Sequence, residues 1–167
     1  IITHDAVYLD EYHQRMTRIN ELLTESATHV LDNDRVGLIE DVKRGVAEYE
    51  QTFKSAEQLL LRIDETVANV LDVNGPKMRK AVSDIILSAY QDDDTSAAFY
   101  AAQLQERLLL GRLYVNKYLK TSKESDYNYA RQYLEQDLVE AQAALKAQLQ
   151  NPARIKLLNT FAQASQE

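Results

Sequence analysis

Residues 39–70 read IEDVKRGVAEYEQTFKSAEQLLLRIDETVANV. Within that stretch Ile39, Val42, Val46, Tyr49, Phe53, Ala56, Leu60, Ile63, Val67 and Val70 recur at alternating spacings of three and four without a miss. Such positions share one stripe on an α-helix, whereas a half-buried strand would alternate with period two. The pattern predicts one helix over about 34–73, roughly 60 Å long at 1.5 Å per residue.

Upstream, Leu9, Tyr12, Met16, Ile19, Leu23, Ser26 and Val30 repeat the seam and predict a helix over about 4–31. Asp32-Asn33-Asp34 ends it, with Asp34 the expected N-cap of the next helix. Downstream, Asn74-Gly75-Pro76 reads as a C-cap glycine followed by a proline in the first helical position, and so predicts a sharp turn. The next helix is expected over about 76–121. It packs early through Met78, Val82, Ile85, Ile86 and Ala89, and later through Tyr100, Leu104, Leu108, Gly111, Tyr114, Val115 and Tyr118. Gln91-Asp92-Asp93-Asp94-Thr95-Ser96 between them is read as a polar bend within that helix, a true break being the alternative. A helix over about 124–150 follows, facing inward with Ala130, Leu134, Leu138, Ala141 and Leu145. Asn151-Pro152 interrupts it, and a last helix carries Ile155, Leu158, Phe161 and Ala162.

Composition agrees. The 167 residues include only four Gly and two Pro, too few for the tight turns of an all-β chain or the strand–helix loops of an α/β fold. The fold class is all-α. A formal charge of −7 disfavours nucleic acid and anionic lipid as general partners. The absence of Cys removes disulfides, thiol catalysis and cysteine zinc sites. No apolar run is long enough to span a membrane and no signal peptide is visible. The sequence opens with Ile and stops within a helix-like pattern, and is read as an excised soluble piece of something longer.

Helix lengths suggest an elongated antiparallel bundle. Counted from shared turns, residue 1, the acidic run at 92–94 and the Asn151-Pro152 break fall at one height. That predicts two stacked four-helix-type modules sharing the long helices 34–73 and 76–121. The upper module would hold about 1–62 plus 93–150, and the lower, one helix short, about 63–92 plus 152–167. A single four-helix bundle kinked at Pro152 is the alternative.

Catalysis finds no foothold: there is no Gly-rich phosphate loop, nucleophile elbow or HExxH. His4, His13 and His29 are too scattered for one coordination sphere, and paired Glu-x-x-His for a di-iron bundle is missing. No metal or cofactor is expected. Arginine is more informative. Arg107 lies on the stripe Tyr100, Leu104, Arg107, Gly111, Tyr114, Tyr118, and an inward guanidinium needs an anion. By height, Arg18 and Tyr133 lie beside it and Arg15 one turn lower, a candidate carboxylate clamp. Pairing with internal acids such as Glu106 or Asp137, or exposure to water, is the plainer reading. A second candidate is Arg154 in the first turn of the last helix, with Tyr90 and Arg62 near its height and Arg79 a weaker member.

The stretches Leu71-Asp72-Val73-Asn74-Gly75-Pro76-Lys77-Met78-Arg79, Ser88-Ala89-Tyr90-Gln91-Asp92-Asp93-Asp94 and Glu106-Arg107-Leu108-Leu109-Leu110-Gly111-Arg112-Leu113-Tyr114 resemble the helical bimodular periplasmic sensor region of bacterial methyl-accepting chemotaxis proteins. The resemblance covers most of 34–167. It implies a dimeric periplasmic receptor domain, anchored in the inner membrane by flanking helices. It also implies a pocket in each module in which arginines hold acetate or C4-dicarboxylates. Arg154, Arg79 and Arg62 are the residues it points to in the lower module. The family's first helix has no counterpart here, which puts the lower pocket in doubt. The expected function is therefore a carboxylate sensor without enzymatic activity. The rival is a structural or protein-sensing helical bundle, such as a sensor-kinase extracytoplasmic domain or an adaptor.

Overall fold

The computed structural model describes residues 6–166, all of it helix and short connections. In order these are α1 (Ala6–His29), α2 (Asn33–Thr66), a first π-helical turn (Val67–Leu71), α3 (Asp72–Gln91), α4 (Thr95–Thr121), α5 (Glu124–Arg131), a second π-helical turn (Gln132–Asp137), α6 (Leu138–Gln148) and α7 (Pro152–Ala164). Because α2 continues through a π turn into α3, and α5 into α6, these make five helices, two long ones packed antiparallel. His4 and the expected helix start at residue 4 lie outside the described residues.

The chain divides into two compact units, 1–62 and 63–167. In the first, α1 turns back onto α2 through residues 30–32. Asp32, not the expected Asp34, closes the N-terminus of α2: its carboxylate accepts from the Arg35 amide at 3.1 Å. Tyr12 stacks on Phe53 with ring centroids 3.7 Å apart, and the Asn20 side chain donates to Glu50 at 3.0 Å. Met16 is buried, whereas Val42 and Tyr49 of the predicted seam remain 52% and 55% exposed.

The second unit holds the continuous core. Val82, Ile85, Leu104, Leu108, Leu145 and Phe161 are fully buried, with Ala81, Ala89, Ala97 and Ala101 letting helices approach closely. Here α3 packs on both α4 and α7, α4 on α5 and α6, and α6 on α7. Short connections make the order up-down-up-down. The last helix faces the core with Arg154, Leu158 and Phe161, so its seam runs one residue off Ile155, which is 40% exposed.

Two expectations are corrected. The turn at Asn74-Gly75-Pro76 does not exist; all three lie inside α3. A helix-interior proline lacks a donor and its ring crowds the preceding turn. Gly75 removes the usual clash between the proline ring and the Cβ before it, and the π turn just upstream widens the backbone, with the Asp72 amide donating to the Val67 carbonyl. The turn lies instead at 92–94. Asp93 takes a left-handed backbone at φ 53°, and Asp94 caps α4 by accepting from the Ala97 amide at 3.0 Å. The long helices are thus 33–91 and 95–121 rather than 34–73 and 76–121, and heights counted from residues 74–76 no longer apply.

Candidate functional site

The two helices α4 and α7 start at one end of the second unit, where Arg154 reaches Ser88 and Asp94. At 1.5 Å per residue the 27 residues of α4 span about 40 Å and the 13 of α7 about 20 Å. The last helix therefore stops halfway along its neighbours, and past Ala164 the space between α3, α4 and the α5–α6 helix opens as a cavity of about 270 Å³. Val67, Val70 and Leu71 of the first π turn line it, with Met78, Leu108, Val115 and Leu138; the second π turn contributes Leu134. π turns inside α-helices recur at functional sites, and this cavity is bordered by two.

Arg112 supplies the chemistry. It is half-buried in the cavity wall, and among the described residues no carboxylate lies within ion-pairing distance of it. Asn74 is buried alongside, its Oδ1 accepting from Lys77 Nζ at 3.3 Å; Asp72, Asn116 and Ser165 complete the polar lining. Glycines set this geometry. A Cβ on Gly75 would stand 2.7 Å from the Arg112 guanidinium carbon, and one on Gly111 2.4 Å from Leu134 Cδ2. Mid-helix glycine costs about 1 kcal/mol relative to alanine, and here that cost lets a guanidinium and a leucine lie against bare backbone. Gly37 and Gly45, in the other unit, face open space.

The residues predicted from sequence are placed differently. Arg15 and Arg18 are exposed and pair with Glu11 and Glu21 on their own helix, so the inward orientation expected of Arg18 is not found. In the second unit Arg107 is half-buried beside Glu106 at 3.7 Å, which matches the plainer reading. Tyr133 stacks on Tyr114, ring centroids 5.6 Å apart and 10° from parallel, and Tyr114 also carries Lys117 over its face. Tyr90 is 78% exposed, and Arg79 and Arg62 are exposed. Arg154 is inward, only 2% exposed, yet its guanidinium is already satisfied. It donates to Ser88 O at 2.9 Å, Ser88 Oγ at 3.1 Å, Asp94 at 2.6 Å and Asp92. The acidic run that breaks the helix is also what neutralises this arginine, so no charge is left over for a ligand.

Arg112 escaped the sequence reading because the four–three stripe through Leu104 and Gly111 selects Arg107. The missed signal was the pair Gly75 and Gly111, half of the chain's glycines, both inside helices. Among the described residues no group of three His, Asp or Glu is placed to hold a metal ion, and no helix is long and apolar enough to cross a membrane. What the fold defines is an all-helical bundle domain. Comparison with family models, with characterised proteins and with solved structures found no match.

Proposed function

We propose that this chain is the extracytoplasmic ligand-binding domain of a chemotaxis receptor, taking a small carboxylic acid into the cavity beside Arg112. One observation carries the reading: a half-buried guanidinium with no described carboxylate in ion-pairing distance, set in a mostly apolar wall. Such a group is poorly compensated until an anion arrives, and a carboxylate matches its fork. The three stretches that resemble chemotaxis receptors include Leu71 to Met78 and Leu108 to Arg112, which form much of that wall. Periplasmic location, a homodimer and a membrane-anchored parent belong to the same proposal. Signalling would run through altered packing of α3 and α4 around the ligand. The reading assigns no catalysis and no cofactor.

A second reading, a protein-sensing or structural bundle, has its own support in the first unit. There α2 buries no residue and leaves Val42 and Tyr49 exposed. A thermal-shift screen of organic acids separates the two. Stabilisation that disappears in Arg112→Gln supports the sensor; no response to any acid, with the chain folded, supports the rival.

A further inference from the structure

Resting on that reading, we infer that the cavity selects a monocarboxylate of about ten non-hydrogen atoms, its carboxylate included, in preference to acetate or a dicarboxylate. Size is the first argument. A cavity of ~150 Å³ takes one benzene ring, so one of about 270 Å³ holds a little less than twice that. Phenylacetate or octanoate fits. Acetate would leave most of the apolar wall facing water or void.

Charge is the second argument. Arg112 is the single cation among the described residues lining the cavity, and Asp72 on the same lining is anionic. The second carboxylate of a dicarboxylate would meet Asp72, hydrocarbon or the neutral side chains of Asn74, Asn116 and Ser165, with no second cation to balance it. A hydrocarbon body would instead lie against Met78, Leu108, Val115 and Leu138. Carboxylate at Arg112 and tail towards the core end is the orientation this arrangement favours.

The test is calorimetric titration of the 167-residue chain with straight-chain acids from acetate to decanoate, with phenylacetate and with succinate. Each methylene buried is worth about fourfold in affinity. The expected result is a rise of roughly that size per carbon to about eight carbons, then a plateau, with succinate weaker than butyrate. Arg112→Gln should lower phenylacetate and octanoate affinity by roughly tenfold or more, the usual loss of a hydrogen bond to a charged group. Val115→Phe, which narrows the cavity without touching the charge, should move the plateau to shorter chains. Succinate or acetate binding more tightly than octanoate would overturn the inference while leaving a carboxylate site at Arg112. Binding insensitive to Arg112→Gln, or no binding by any acid, would overturn the site itself.

Discussion

Arg154→Met is the sharpest probe of how the second unit is held together. Methionine keeps most of the buried apolar stem and removes every donor. The variant loses hydrogen bonds to the Ser88 carbonyl and hydroxyl and the ion pairs to Asp92 and Asp94, on a side chain that is 3% exposed. Breaking a fully buried ion pair costs about 3–5 kcal/mol, but that is a ceiling here. Asp92 and Asp94 have side chains 57% and 38% exposed and can rehydrate. Asp94 also keeps its capping bond to the Ala97 amide, and the Ser88 carbonyl still accepts from the Asp92 amide at 3.2 Å.

A loss of about 2 kcal/mol follows, within the ~1.5–3 kcal/mol of a hydrogen bond to a charged group. With a urea slope near ~1–2 kcal/mol/M, the unfolding midpoint falls by about 1–2 M. Asp94→Asn, which keeps a capping oxygen, should cost less, and a double-mutant cycle should show the two positions coupled. Affinity for carboxylic acids should be unchanged in Arg154→Met once the folded fraction is accounted for. A midpoint shift below about 0.2 M together with lost acid binding would refute the reasoning and return Arg154 to the role of ligand partner.

Four further outcomes follow from the same geometry. Gly111→Ala places a Cβ into Leu134 and should destabilise by about 1–3 kcal/mol in urea unfolding despite its better helix propensity. Gly75→Ala restores the clash between a Cβ and the Pro76 ring and also meets the end of Arg112, so it should cost about 0.5–3 kcal/mol in urea unfolding and, with the folded fraction accounted for, lower acid affinity because the guanidinium is pushed off its seat. Tyr12 has its hydroxyl pKa raised, first by burial and then by Tyr49, Glu50 and Glu57. Folded Tyr12 holds its proton more tightly than the unfolded chain does, so its contribution is intact below about pH 10 and is lost as pH rises through its own higher pKa. The alkaline titration followed by absorbance at ~295 nm should lose, in Tyr12→Phe, a tyrosine that ionises above the usual tyrosine range. Glu135 is held below the usual carboxylate range by the hydrogen bond from Arg131; Arg131→Ala should move its NMR titration back up.

Much of this fold could be read from spacing alone, since helical periodicity depends on nothing but the stripe a helix must bury. Leu138 and Leu145 of α6, Val82 and Ile85 of α3 and Leu104 and Leu108 of α4 are buried as their spacing predicts. Both misplaced boundaries were decided by non-local packing. Gly-Pro is turn chemistry in isolation, but next to a π turn, with Arg112 lying over the glycine, the same dipeptide lets the helix pass. The three aspartates look like a solvated bend until Arg154, 60 residues later in the chain, is seen to need two of them. Of the arginines singled out from the sequence, Arg154 is buried and Arg107 half-buried. Which of them had been neutralised depends on partners brought together by folding.

Arg112 and Arg154 therefore make a natural contrast within one unit. Both stand in helices, and each has its position fixed by residues of α3. Arg154 meets acids supplied by the turn at 92–94 and closes the end of the bundle where α7 begins. Arg112 sits past the point where α7 stops, on a lining of hydrocarbon, amides, Ser165 and Asp72, with no described carboxylate within ion-pairing distance of it. Filling that space with core side chains would have been the cheaper route to stability. Two glycines, a helix-interior proline and two π turns are instead concentrated around it, each a local cost. Departures from ideal helix that gather on one cavity, beside a guanidinium without an ion-pairing acid, are the grounds on which the proposal of an anionic ligand rests.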